Sequence, residues 1–133
     1  MWLSERAAGR AGGGVRAEVG TVTVGGRDPA VLLDGESRNL GRISPGGLSW
    51  MPAVGDEVLV LETGDGERWI LGAADGGIPS LRDGEVCLRS GGAWLKIGRD
   101  GSISAEGDLH LNGDVYITGR LYLNGVEITA EAD

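Results

Sequence analysis

One histidine, His110, and one cysteine, Cys87, are all that this 133-residue chain offers of the side chains that most often carry acid–base, nucleophilic or metal chemistry. A Ser-His-Asp site would have to be built on His110, yet no Gly-x-Ser-x-Gly turn or comparable nucleophile setting occurs. A lone cysteine excludes an intrachain disulfide and any multi-cysteine zinc site, and Cys87 reads as a small packed residue. Asp100, Asp108 and Asp114 lie beside glycines, but no full calcium-binding loop surrounds them. They read as turn and solubility residues. Asp65 and Glu67 flank a turn and do not suggest paired-carboxylate catalysis. No catalytic residue and no metal ligand set is therefore expected, and the chain is read as a non-enzyme.

The elements that would position any side chain are constrained by glycine. There are 26 glycines, nearly three times the usual share of roughly 7%. There is no unbroken collagen repeat, and aliphatic residues between the glycines exclude a Gly/Ser linker. A helical bundle is disfavoured because an interior glycine costs about 1 kcal/mol relative to alanine. Turn-rich β structure remains. No apolar run approaches the roughly 20 residues of a membrane-spanning helix. Residues 1–6 lack a basic region followed by an apolar core, so no secretory leader is expected. A net charge of -8, with a single lysine, Lys96, disfavours a nucleic-acid partner.

Along the chain, residues 1–14 read as a flexible arm, with a helical turn at 4–8 and with Trp2 and Leu3 as anchors to a partner. Residues 15–75 carry about five short apolar segments joined by Gly-rich turns, which suits a small closed barrel of the five-stranded OB type. The segments are 19–24, 30–33, 40–43, 56–62 and 67–71, and Gly64-Asp65-Gly66 turns the last pair into a hairpin. Residues 76–101 read as a linker and the start of further β structure. Val86-Cys87-Leu88 and Trp94-Leu95-Lys96-Ile97 there look like two short strands.

From residue 103 a six-residue repeat sets in. Its units are Ile103-Ser-Ala-Glu-Gly-Asp108, Leu109-His-Leu-Asn-Gly-Asp114, Val115-Tyr-Ile-Thr-Gly-Arg120 and Leu121-Tyr-Leu-Asn-Gly-Val126. The two apolar positions of a unit are two residues apart and share one face of a strand. Ile103, Leu109, Leu111, Val115, Ile117, Leu121 and Leu123, continued by Val126 and Ile128, form one row to be buried. Gly107, Gly113, Gly119 and Gly125 are expected as corners. The alternation places His110, Tyr116 and Tyr122 on the opposite face, with the tyrosines stacked in a column and His110 at the surface.

A single-chain left-handed β-helix, as in acyltransferases, needs about three hexads per coil and several coils, and four hexads supply little more than one. A triple-stranded β-helix takes one side of every layer from each of three chains, so four hexads give several complete layers. It also closes strand edges that a lone chain exposes. A monomeric Gly-rich meander has no need of strict hexad register. The expected fold is therefore all-β: an N-terminal OB-type barrel followed, over 102–133, by a C-terminal intertwined triple-stranded β-helix in a homotrimer.

This order resembles the central tail-spike family of contractile-tailed phages, the baseplate assembly protein V-like spikes, which are related to the tips of contractile bacteriocins and type VI secretion needles. Two stretches carry the resemblance. Met51-Pro52-Ala53-Val54-Gly55-Asp56-Glu57-Val58-Leu59-Val60, leading to Trp69-Ile70-Leu71-Gly72, looks like the family's barrel segment. Residues 107–125 look like its ladder. Pro52, Val54, Gly55, Val58, Val60 and Trp69 stand at the barrel motif. The resemblance implies a homotrimer at the baseplate or tail tip of a virion or phage-tail-like particle, made in the bacterial cytoplasm. Its barrels would dock on the baseplate hub, and its needle would meet or puncture the bacterial envelope. Well-known members bind iron through a terminal His-x-His pair. That motif is absent here, so no iron or other cofactor is carried over, and the tip is closed either by Val126 and Ile128 or by a capping protein. Trp50, Trp69 and Trp94 are expected to plug the barrel and its junction with the needle. The alternative reading is an OB-fold module for single-stranded nucleic acid or oligosaccharide with a β-rich trimerisation tail.

Overall fold

A computed structural model of the chain describes residues 14–76 and 80–130. The chain is all-β, with no helix among the described residues, and divides into two compact units at Gly77/Ile78. The expected arm and its helical turn at 4–8 lie outside the described residues.

The first unit is one six-stranded sheet. Its strands are β1 (Arg16–Val24), β2 (Ala30–Leu32), β3 (Glu36–Arg38), β4 (Gly41–Arg42), β5 (Glu57–Glu62) and β6 (Arg68–Ala73), in the spatial order β3-β2-β1-β5-β6-β4. All neighbours are antiparallel except β4 and β6, which are parallel through Gly41↔Trp69 and Arg42↔Ile70. The two edge strands are separated by only Asn39 and Leu40 in the chain. Three Cα steps reach about 11 Å, whereas the edges of a flat six-stranded sheet lie about 24 Å apart. The sheet therefore curls. Asn39 takes φ 54° at the break, and the buried Leu40 donates its N–H to the Pro29 carbonyl at 3.4 Å. The curled interior holds Val22, Val31, Leu40, Val58, Val60 and Ile70, with Leu33 and Trp50 packed against them.

Close approach explains two glycines. A Cβ at Gly20 would lie 2.6 Å from both Val31 and Leu33 side chains, so β1 must be bare there for the interior to close. At Gly41 a Cβ would strike the Trp69 ring. That contact corrects the expectation that Trp69 plugs the barrel. Ile70 occupies the interior, and strand alternation sends its neighbour Trp69 to the outer face, half-buried beside Gly41. Strand β3 was also unanticipated, because Glu-Ser-Arg has no apolar residue and pairs through its backbone alone.

The second unit contains β7 (Val86–Ser90), β8 (Ala93–Ile97) and β9 (Ile103–Glu106) in a three-stranded antiparallel sheet, and β10 (Leu121–Leu123) with β11 (Val126–Ile128) in a separate hairpin. The two short strands expected at 86–88 and 94–97 are β7 and β8, two of three strands in a regular sheet. Between Gly107 and Arg120 the chain forms no strand.

Candidate functional site

The barrel motif is a structural turn. Val54 and Gly55 are its central residues, Asp56 N–H donates to the Ala53 carbonyl at 3.1 Å, and Gly55 has φ 94°, as a type II turn requires. The Asp56 carboxylate accepts the Ala53 N–H at 3.0 Å, and Gly55 N–H donates to Val22 O at 2.9 Å. Buried Pro52 accepts Gly26 N–H at 2.8 Å, which ties the turn to the end of β1. Val58 and Val60 then point into the core. Val54 does not: it is 70% exposed, so its side chain contributes nothing to the interior.

The hexads place their aliphatic residues in solvent. No side chain among the described residues of the second unit is buried. Thirteen aliphatic side chains there, from Val86 to Ile128, are between 39% and 77% exposed. They include every expected row residue: Ile103, Leu109, Leu111, Val115, Ile117, Leu121, Leu123, Val126 and Ile128. The backbone shows the same incompleteness. Residues 108–120 make no backbone hydrogen bond in strand, turn or loop among the described residues. Unpaired main-chain donors and acceptors beside exposed aliphatics are what a strand lacking its neighbour presents.

Gly107, Gly113 and Gly119 have φ of 126°, 142° and 124°. A positive φ of similar size thus recurs every six residues, in a range that side-chain-bearing residues avoid. The fourth expected corner is different. Asn124 and Gly125, at φ 50° and 79°, are the two central residues of a tight hairpin turn. Leu121↔Ile128, Tyr122↔Glu127 and Leu123↔Val126 pair across it. Gly125 is therefore a turn residue and not a repeat corner. Here Asn-Gly hairpin chemistry prevails over the hexad period. The expected tyrosine column also fails in the single chain. Tyr116 donates to Asp114 Oδ2 at 3.2 Å, Tyr122 lies in the hairpin, and no ring contact joins them among the described residues.

Charged side chains gather in one open groove of the second unit, lined by Arg82, Asp83, Glu85, Lys96, Arg99 and Asp100, and none of them is buried. His110 is exposed, Cys87 is a half-buried free thiol, and no group of three or more His, Cys, Asp or Glu that could hold a metal ion occurs among the described residues. Two carboxylates are perturbed, both in turns. Asp65 is held below its ordinary value mainly by the Thr63 hydroxyl and then by Glu67 N–H, at 3.1 Å. Asp100 is held low by the Ser102 hydroxyl at 2.7 Å and Ser102 N–H at 3.0 Å. These bonds shape hairpin turns; Asp100 and Ser102 also line the open groove of the second unit, and Asp65 and Glu67 line an open groove beside Arg38 and Arg68.

No protein-family model, no curated protein and no solved structure matches the chain.

Proposed function

We propose that the chain is the subunit of a homotrimeric tail spike of a phage or phage-tail-like particle. Its barrel docks on the baseplate hub, and its C-terminal unit, wound with two further copies, forms a stiff needle that meets the bacterial envelope. The carrying observation is that the described residues of the second unit have neither a core nor a complete set of backbone hydrogen bonds by themselves. Covering its thirteen aliphatic side chains is worth on the order of 10 kcal/mol per chain. Two more copies supply both what covers the row and what pairs with the extended backbone. Glycine corners at a constant spacing of six suit a triangular winding.

The first unit supports the same reading. If β3 and β4 are taken as one strand broken at Asn39-Leu40, that strand pairs with β2 at its start and with β6 at its end. Five strands then follow one another in a ring with a single parallel neighbour pair, as in an OB-type barrel. The function is mechanical and needs no bound cofactor. Native mass spectrometry tests it: the expected mass is three times the 13.7 kDa of the chain, and a monomer at micromolar concentration ends the proposal. Sheath, tube and hub genes beside the coding sequence are expected as well.

A further inference from the structure

The trimer core of the proposed needle starts at residue 103. The three-stranded sheet before it has two unlike faces. Cross-strand pairing puts Val86 opposite Ile97 and Leu88 opposite Leu95, and then Leu95 opposite Ala105 and Ile97 opposite Ile103. All six side chains therefore lie on one face, and all are exposed. The other face carries Cys87, Arg89, Trp94, Lys96, Ser104 and Glu106. It is satisfied in water: Trp94 Nε1 donates to Glu106 at 2.8 Å, and Lys96 Nζ stands 6.0 Å from the Trp94 ring centre.

We infer that the apolar face of β7–β9 is covered by the same faces of two further copies, so that the intersubunit core begins at Val86 and not at the first hexad. The inference rests on the trimeric reading and extends it. Continuity argues for this occupant. Ile103 and Ala105 belong both to the sheet face and to the hexad row, so a partner that covers the row meets the sheet at its β9 edge. Size argues for it too. The sheet face and the row together leave thirteen aliphatic side chains exposed, five of them on the sheet, on the order of 1,000 Å² of apolar surface per chain. A stable interface buries roughly 800 Å² per partner. An antiparallel sheet with one polar and one apolar face is the form expected when only one side meets water.

The test compares adjacent residues on opposite faces. In a Cys87→Ser background, Leu88→Cys and Arg89→Cys are each exposed to a thiol reagent under native conditions, alongside native mass spectrometry of the full chain. The expected result is a trimer in which the thiol at position 89 reacts freely and that at position 88 is slowed by about 100-fold or more. A trimer in which both thiols react alike overturns the inference and leaves the spike reading standing. A monomeric unsubstituted protein overturns both. As a second measurement, Leu95→Asp is expected to abolish the trimer while Arg89→Asp retains it. A trimer that tolerates Leu95→Asp counts against the covered face.

Discussion

Leu121 and Ile128 are cross-strand partners, and the Asn124-Gly125 turn between them folds the last part of the repeat back on itself. Leu121, Leu123, Val126 and Ile128 consequently share one face of the hairpin, while Tyr122 and Glu127 share the other. Arg120 Nε lies 3.8 Å from Glu127 Oε1. A left-handed backbone costs a side-chain-bearing residue about 1–2 kcal/mol, and a β-branched one suffers most. Gly125→Val should therefore lower the denaturation midpoint, whereas Gly35→Ala, with no positive φ and open space around it, should be nearly silent. Equal midpoints for the two variants would remove the hairpin from the account.

The contact between Gly41 and Trp69 predicts a compensating pair. A methyl at position 41 strikes the indole, so Gly41→Ala should destabilise the first unit by about 1–3 kcal/mol. Trp69→Ala removes the obstacle, and the double variant should be more stable than the sum of the single effects implies, by about 0.5–3 kcal/mol. Strict additivity in urea unfolding would show that the two residues do not meet.

Much of this was legible in the sequence, and the exceptions have separable causes. The β5–β6 hairpin could be read because Gly64-Asp65-Gly66 sits between two apolar runs, and Gly66 does take φ 85°. The spacing of six marked Gly107, Gly113 and Gly119, which do share a positive φ, but it also marked Gly125, which belongs to a hairpin turn. Trp69 lies outside the interior because alternation with the buried Ile70 fixes its face. Asn124-Gly125 carried a hairpin signal that the apparent fourth hexad concealed. Strand β3 left no trace, since an edge strand of Glu, Ser and Arg is made by backbone pairing to β2. The two-faced character of β7–β9 needed the pairing register, because Val86-x-Leu88 and Leu95-x-Ile97 do not by themselves show that they share a side.

Acid should act through turns. The folded state holds the Asp100 carboxyl below its ordinary value of 3.8, through Ser102. A depressed carboxylate contributes stability that is present above the unfolded value and is lost as pH falls through the folded one. Asp100→Asn should thus be less stable than the unsubstituted protein at pH 7. The gap should narrow as pH drops below 3.8. Thermal unfolding at a series of pH values measures it, and a gap independent of pH would contradict the assignment.

The sharpest discrimination between a trimeric needle and a monomeric meander uses two neighbours, His110 and Leu111. In the isolated chain both are exposed, so a lone subunit has no reason to respond differently to a charge at either position. In a three-stranded needle Leu111 faces the axis and His110 faces solvent, because successive residues of an extended segment point to opposite sides. Leu111→Asp would bring three carboxylates together without counter-charges, and an uncompensated buried charge costs about 3–5 kcal/mol. Assembly should fail, leaving a species of 13.7 kDa by native mass spectrometry. Ile117→Asp, one hexad further on, should do the same. His110→Asp should assemble as before and keep the SDS resistance expected of the unheated trimer. Because the tested difference lies between adjacent residues that are both exposed in the single chain, a general loss of solubility cannot imitate it. Identical behaviour of His110→Asp and Leu111→Asp would favour the monomer.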